Sequence, residues 1–200
     1  MREKISANGE RLRRDGASAS SGPFDQLLGP ERLSSTRLPA FDYVGPHAYF
    51  ITIGTVGRHL AFADADRVQL ARSALDEASR SHGFAALAYC FMPDHLHLLL
   101  QGSDSSDLIA FMKRFKQLSS YRYKQRTGRQ LWQRSYFEHV LRHDDNRDGI
   151  AAYIWENPVQ AGLVAEREIY PFSGPRSTMG PDRPKGLSLR SPRPAGASRG

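Results

Sequence analysis

Two histidines stand in a segment that is otherwise typical of buried β-structure. Residues 89–101 read YCFMPDHLHLLLQ, in which one leucine separates His95 from His97. Because alternate side chains of a strand project to opposite faces, both imidazoles lie on one face and the flanking leucines on the other. Such a pair is surface polarity, a hydrogen-bonded pair in the core, or two ligands of one metal ion.

A tyrosine and an asparagine further along the chain provide complementary groups. Tyr153 and Asn157 are four residues apart in a segment with helical spacing, so they lie on one helix face, one turn apart. A helix across the sheet would bring this face to His95 and His97. A divalent ion with mixed nitrogen and oxygen ligands would then activate a phosphate there as a Lewis acid. Tyr153 would be the nucleophile and form a covalent phosphotyrosine.

This chemistry needs no nucleotide-binding site, because exchanging one phosphodiester for another conserves bond energy. The chain contains neither a Walker loop nor a GxGxxG motif. A free phenol titrates near pH 10, so a cation beside a tyrosine helps it to ionise.

Seven secondary-structure elements are predicted to position these side chains. Hydrophobic periodicity predicts strands at 48–55, 84–92, 95–102 and 136–142, and helices at 64–83, 103–128 and 143–158. The last helix is expected to end at Pro158. The order β-α-β-β-α-β matches the ferredoxin-like topology, an antiparallel sheet with two helices on one face. The sequence thus predicts an α+β fold with an additional C-terminal helix that carries Tyr153.

Composition separates a central domain from two polar ends. Residues 1–40 and 174–200 have too few periodic apolar residues to offset the entropy of ordering them, so we expect both ends to be mobile. Residues 41–173 are predicted to form the folded domain. The net charge of +7 comes from the ends, since residues 41–175 carry as many acidic as basic side chains.

Three classes of protein are disfavoured by the residues present. The single cysteine excludes a disulfide framework and a cysteine-based zinc site. No apolar stretch reaches the roughly 20 residues of a membrane span. The N-terminal residues lack the apolar region of a signal peptide. We therefore expect a cytoplasmic protein without a membrane partner.

One segment of the central domain is strongly basic. Residues 108–137 contain eight basic side chains and no acidic one, which is a local footprint for a polyanion, although a solvated helix face is the alternative. Such residues would bind phosphates without reading sequence. The candidate DNA contacts are Lys113, Arg114, Lys116, Arg122, Lys124, Arg126 and Arg134. The neighbouring Trp132 and Gln133 either touch DNA or fix a loop.

Three motifs together resemble a known family. MPDHLHLLL is similar to the HUH motif of single-tyrosine transposases that act on single-stranded DNA. GRQLWQRSYFEHVLR and AAYIWENPVQAGLV are similar to the downstream signature of the REP-associated tyrosine transposases. The resemblance covers residues 37–173. HxH alone is a weak signal, but the three motifs in this order and spacing are specific.

The resemblance implies a ferredoxin-like fold and an enzyme that cleaves and rejoins single-stranded DNA beside a hairpin. It also implies Mg²⁺ or Mn²⁺ and a 5′-phosphotyrosine intermediate. By position, His95 and His97 would bind the metal, Tyr153 would be the nucleophile and Asn157 the third ligand. Many insertion-sequence relatives carry Gln where Asn157 stands, and this departure favours the REP-associated branch. Asp94 replaces a common Asn, a change expected to matter little.

Several alternatives stay open from the sequence alone. The first is a DNA-binding protein of repetitive elements that has lost turnover, and the second is a metal-dependent nuclease that uses water. The rival nucleophiles are Tyr121, Tyr123 and Tyr136, and Glu156 competes with Asn157 as a ligand. Relatives include both monomers and dimers that exchange the tyrosine helix, so the sequence leaves a homodimer and a monomer open.

Overall fold

The order of the elements along the chain follows the predicted pattern. The computed structural model describes residues 40–142 and 145–175, so the ends predicted to be mobile lie almost entirely outside this part. The strands are β1 (Ala48–Gly54), β2 (Phe84–Met92), β3 (His95–Gly102), β4 (Phe137–Leu141) and β5 (Ser173–Gly174). The α-helices are α1 (Ala65–His82), α2 (Leu108–Thr127) and α3 (Arg147–Gln160). All strand pairs are antiparallel, in the order β4-β1-β3-β2-β5. This confirms the α+β fold.

Capping residues set the ends of the first two helices. The Asp64 carboxylate accepts a hydrogen bond from the backbone N–H of Arg67, which begins α1. Asp107 does the same for two N–H groups of α2, so this helix starts at residue 108 and not at the predicted 103. Gly83 and Gly128 end the helices with φ values of 69° and 72°, which glycine adopts without strain.

Three leucines of β3 face the larger of two cores. Helices α1 and α2 cover this face of the sheet, called here the α1/α2 face, as the predicted topology requires. The strand residues that point into it include Tyr49, Ile51 and Ile53 of β1 and Leu96, Leu98 and Leu100 of β3. All six are fully buried. This core therefore fixes the orientation of β3, so that its alternate residues, the two histidines among them, must project to the other side.

Helix α3 covers the opposite face, called here the α3 face. Ile150 and Ile154 of α3 pack with Phe50 of β1 and Leu99 of β3 in a second core. The C-terminal segment holds the helix in place, because the indole N–H of Trp155 donates to the Gly174 carbonyl (3.3 Å). Within the described residues, no helix combines the length and apolarity needed to span a membrane.

Both predicted ends of α3 are wrong. Helix α3 starts at Arg147, after Asn146 caps it, and continues past Pro158 to Gln160. Proline removes one helical N–H, and the carboxamide N–H₂ of Asn157 lies near the carbonyls of Tyr153 (2.8 Å) and Ile154 (3.5 Å), which compensates for that loss. The short strand β5 has too few residues to leave a periodic pattern, so it was not predicted.

Candidate active site

The two histidines of β3 converge on the α3 face. Their Nε2 atoms are 3.0 Å apart, and their rings are perpendicular with centroids separated by 4.7 Å. His97 is only 7% exposed, whereas His95 lies at the start of the strand and is partly exposed. The surface-polarity explanation therefore fails for His97. A buried core pair or a shared ion remains.

Each histidine of this pair has a second partner on its other ring nitrogen. Nδ1 of His95 lies 2.6 Å from Oδ1 of Asp94, and Nδ1 of His97 lies 2.9 Å from the hydroxyl of Thr52. An ionised carboxylate only accepts hydrogen bonds, so His95 carries its proton on Nδ1 and presents a lone pair at Nε2. Histidines that bind metals have this arrangement, since an outer acceptor fixes the tautomer and the ring orientation.

Electrostatics keep the pair suited to bind a cation. Burial, reinforced by the charge of His95, holds the pKa of His97 well below its ordinary value, so this imidazole is neutral at pH 7. The hydrogen bond from His95 lowers the pKa of the Asp94 carboxyl, which therefore stays ionised. A neutral His97 imidazole and an ionised Asp94 carboxylate on either side of His95 form a site that favours positive charge.

Tyr153 lies beside His97 of this pair. Its ring centroid is 6.3 Å from that of His97 and 6.3 Å from that of Phe50, both in edge contacts. The side chain is partly buried under α3, which packs on β2 and β3 of the same chain. The Tyr153 ring thus contacts His97, which in turn pairs with His95, within one chain.

The three rival tyrosines belong to the α1/α2 side of the molecule. The Tyr123 hydroxyl lies 3.2 Å from Nε2 of His59, and the Tyr136 ring lies under the ammonium group of Lys116. Tyr121 is 66% exposed on α2. Their positions across the sheet from His97 favour Tyr153 as the nucleophile.

The two candidate third ligands are both on α3. Asn157 uses its carboxamide nitrogen on helix carbonyls, which leaves the oxygen as its ligand atom. Glu156 lies at the helix surface, 3.9 Å from the Arg167 guanidinium. This neighbour competes with a metal for the carboxylate. Asn157 is therefore the stronger candidate.

The two Nε2 atoms provide part of the ligand set that a hard divalent cation needs. Two ligands at right angles with bonds of about 2.1 Å lie about 3.0 Å apart, the spacing seen between the two Nε2 atoms. Among the described residues, no three His, Cys, Asp or Glu side chains form a group that holds a metal. Further ligands would thus be a carboxamide, water or phosphate oxygen, in keeping with the incomplete protein shells of Mg²⁺.

Four of the seven candidate DNA contacts make contacts within the protein. Arg114 and Arg122 of α2 both pair with Glu77 of α1. The ammonium group of Lys116 donates to the carbonyls of Gln133 (3.0 Å) and Arg134 (2.8 Å), and burial lowers its pKa. Arg126 lies 3.7 Å from Asp66. The remaining three are exposed: Lys113, Lys124 and Arg134. The basic segment therefore also joins α2 to its neighbours.

The segment between α2 and β4 lies at the end of the sheet that carries His95. Trp132 is buried on the α1/α2 face, where its indole N–H donates to Ser119 (2.8 Å), so it fixes the loop. The Gln133 N–H donates to the Gly54 carbonyl (3.0 Å), and a Cβ placed on Gly54 would lie 3.1 Å from Gln133 Oε1. Gly54 is the cross-strand partner of His95. The carboxamide of Gln133 thus lies over the glycine beside the histidine.

Sequence reasoning missed the roles of Asp94 and Arg58. Asp94 was expected to matter little, but it binds His95 directly and also pairs with Arg58 (2.9 Å). The position of Asp94 immediately before the HxH motif was an available signal. Nothing local pointed to Arg58, because its contact depends on how the loop after β1 folds back.

Comparisons with known proteins identify the family of the chain. The model of the family described as IS200-like transposases matches residues 46–157. The chain is 30% identical over 145 residues to a candidate REP-associated tyrosine transposase of Haemophilus influenzae, which covers 66% of this chain and 81% of the relative. It is 24% identical over 132 residues to the REP-associated tyrosine transposase of Escherichia coli, which covers 66% and 78%.

A solved structure shares the fold. This structure, a REP-associated tyrosine transposase bound to a REP hairpin, has a TM-score of 0.59 and 23% identity, with 70% of this chain and 81% of the other covered.

Proposed function

This chain belongs to the IS200-like transposase family, and we propose that it cleaves and rejoins single-stranded DNA beside a hairpin through a covalent 5′-phosphotyrosine. The observation that carries the proposal is the convergence, within one chain, of Tyr153 with His95 and His97. A core histidine pair would not need a carboxylate on one outer nitrogen and a partly exposed face. The presence of all three groups argues against a protein that kept only DNA binding.

The proposed chemical step transfers a phosphoryl group and conserves the bond type. The Tyr153 Oη atom attacks the scissile phosphorus, and the bond from phosphorus to the 3′ oxygen breaks. The phenol proton is lost and the leaving oxygen gains one, which gives a free 3′-hydroxyl. Attack of a 3′-hydroxyl on the phosphotyrosine reverses the step and restores the phenol. No external energy source is needed.

The proposed cofactor is Mg²⁺ or Mn²⁺, held by His95, His97 and the carboxamide oxygen of Asn157. When bound, such an ion supplies Lewis-acid stabilisation of the charge on the phosphate. Asp94 and Thr52 hold the two imidazoles in the orientation that this requires. Helix α3 keeps the phenol beside His97 through its packing on the sheet.

The proposed substrate is single-stranded DNA that contains a hairpin. A solved relative is described as bound to a REP hairpin, and we extend that substrate class to this chain. Exposed cations supply phosphate contacts, and Lys113, Lys124 and Arg134 are the best placed of the predicted set, because they are exposed and make no ion pair among the described side chains. A DNA substrate is consistent with the cytoplasmic location expected from the sequence.

The decisive experiment detects the covalent adduct. The full chain is incubated with 3′-labelled single-stranded hairpin DNA and Mn²⁺, then analysed on a denaturing gel beside Tyr153→Phe and a chelator control. Tyr121→Phe is the matched control, because it removes an exposed phenol on the other side of the sheet. We expect a metal-dependent adduct with wild type and Tyr121→Phe, and none with Tyr153→Phe.

Two other outcomes would replace the proposal. Metal-dependent cleavage without an adduct, unchanged in Tyr153→Phe, would identify a nuclease that uses water. Tight binding without cleavage across a broad panel of hairpins would identify an inactive DNA-binding protein.

A further inference from the structure

We propose that Arg58 is a further DNA-binding residue of this site, which holds Asp94 with one edge of its guanidinium and binds a phosphate of the single strand with the other. The inference rests on the proposed function and extends it to the loop after β1. Three observations carry it: the contact with Asp94, an unfavourable backbone conformation, and the exposure of the side chain.

The contact links Arg58 to the histidine pair through one carboxylate. Nε of Arg58 lies 2.9 Å from Oδ2 of Asp94, whose other oxygen lies 2.6 Å from Nδ1 of His95. The guanidinium has five N–H donors in a planar fork, and this contact uses the Nε edge. The side chain is 63% exposed, so its terminal amino groups remain accessible beside His95. A planar fork of this kind matches phosphate geometry.

The backbone conformation indicates that the side chain is needed here. Arg58 has a φ of 56°, and within the described residues it is the only residue other than glycine with a positive φ. This region disfavours side chains with a Cβ, and glycine adopts it freely. An arginine at such a position, next to a candidate active site, is an outlier that points to function.

Neighbouring hydrogen bonds hold the loop in this conformation. The Thr55 N–H donates to the Asp94 carbonyl (3.0 Å), and the Phe62 N–H donates to the Pro93 carbonyl (2.9 Å). The buried hydroxyl of Thr55 donates to the His59 carbonyl (2.7 Å). The loop is thus fixed to the turn that contains Asp94, and Arg58 is presented rigidly at the mouth of the site.

An ion pair with a purely structural role does not account for these features. Exposed ion pairs contribute little to stability, so the pair with Asp94 would not offset the unfavourable backbone conformation. A second, intermittent partner such as a phosphate would explain why the side chain is exposed and why an arginine occupies a position that favours glycine. The same contact would place the bound strand next to the histidine pair.

The test uses the full chain and three variants. Arg58→Gly relieves the backbone strain and removes the guanidinium, Arg58→Lys restores the charge, and Arg80→Ala removes an exposed charge at the opposite end of the sheet. Affinity for the single-stranded hairpin oligonucleotide is measured at several salt concentrations, with Tm and the rate of adduct formation. The predicted result for Arg58→Gly is a Tm that is unchanged or higher, a Kd at least about tenfold higher, and a salt slope smaller by about 0.7.

The controls separate this inference from the proposed function. Arg58→Lys should restore the salt slope, because an ammonium group also neutralises one phosphate, and Arg80→Ala should keep the wild-type slope. A wild-type salt slope for Arg58→Gly would overturn the inference, whatever its Tm. If the wild type binds the strand but forms no adduct, the proposed function fails, and the salt slopes still decide whether Arg58 contacts DNA.

Discussion

The two faces of the sheet use the same strand for different purposes. On the α1/α2 face, β3 contributes Leu96, Leu98 and Leu100 to the larger core. On the α3 face, it contributes His95 and His97, two polar groups that burial disfavours. The α1/α2 face stabilises the fold. This stability offsets the cost of placing the two histidines on the α3 face.

Charged side chains follow the same division. On the α1/α2 side, Glu77 pairs with Arg114 and Arg122, so acid and base satisfy each other across the two helices. Beside the α3 face, Asp94 connects Arg58 to His95, and the imidazole beyond it faces another imidazole. These contacts end at the two Nε2 atoms of His95 and His97, between which a cation or a proton would bind.

The largest effect should come from replacing His97 by leucine. The substitution removes a buried polar group, so we expect a Tm equal to or higher than that of wild type. The loss of a metal ligand should lower adduct formation by more than about 100-fold, since even outer partners of such ligands cost up to that much. Stability and function would then change in opposite directions. Differential scanning calorimetry and the adduct assay measure the two quantities.

A histidine on the other face provides the control for this prediction. His47 packs against Phe41 and Tyr49, and His47→Leu should leave adduct formation unchanged. Wild-type adduct formation by His97→Leu would show that the buried pair is only a core feature, and the contrast between the two faces would lose its functional meaning.

A smaller effect is expected where Gly54 meets Gln133. A methyl group on Gly54 would displace the Gln133 carboxamide, because the Cβ would lie 3.1 Å from its oxygen. Opposite residues in antiparallel strands have Cβ atoms about 5 Å apart, so this carboxamide is close to His95. We expect Gly54→Ala and Gln133→Ala each to lower the rate of adduct formation by about tenfold, roughly 1.4 kcal/mol in the barrier.

The double variant tests whether the two substitutions act through one contact. If Gly54→Ala acts by moving Gln133, then Gly54→Ala/Gln133→Ala should be no slower than either single variant. Additive losses, about 100-fold in the double variant, would mean that Gly54 acts independently of Gln133. Gln133→Asn provides a conservative comparison that keeps the amide.

Local patterns in the sequence were sufficient for most of the fold. Alternation along β3 and helical spacing in α1 and α2 are set by burial. The capping residues Asp64 and Gly83 mark the two ends of α1. The prediction that α3 ends at Pro158 is wrong because a side chain, Asn157, supplies a hydrogen bond near the carbonyl that proline leaves free. Such compensation depends on side-chain geometry and not on residue type alone.

The candidate site was predictable only in part for a related reason. His95, His97 and Tyr153 lie in recognisable motifs, and the structure brings them together. Arg58 and Gln133 reach the site through loops whose paths depend on the whole fold. The charge of the basic segment was visible in the composition, but composition does not tell whether a partner such as Glu77 lies opposite a given cation.

The smallest effect distinguishes two cations that lie two residues apart on α2. Arg122 contacts Glu77 and Ser73 of α1, whereas Lys124 is exposed. We expect Arg122→Gln to lower Tm slightly and leave the salt slope for DNA unchanged. Lys124→Gln should keep the Tm and reduce the salt slope by about 0.7, the value for one phosphate contact. Thermal unfolding and salt-dependent binding check both expectations.

At acidic pH, the difference in Tm between Arg122→Gln and wild type should disappear. Hydrogen bonds from Arg122 and Arg114 lower the pKa of Glu77 from its ordinary value of 4.5, so the folded state favours the ionised carboxylate. The pair therefore stabilises the protein above pH 4.5, and this contribution is lost as the pH falls through the lowered pKa. The Tm of Arg122→Gln should approach that of wild type in this acidic range. A constant difference in Tm at every pH, combined with a reduced salt slope, would instead make Arg122 a DNA contact, and the α1/α2 side would then share in binding the strand.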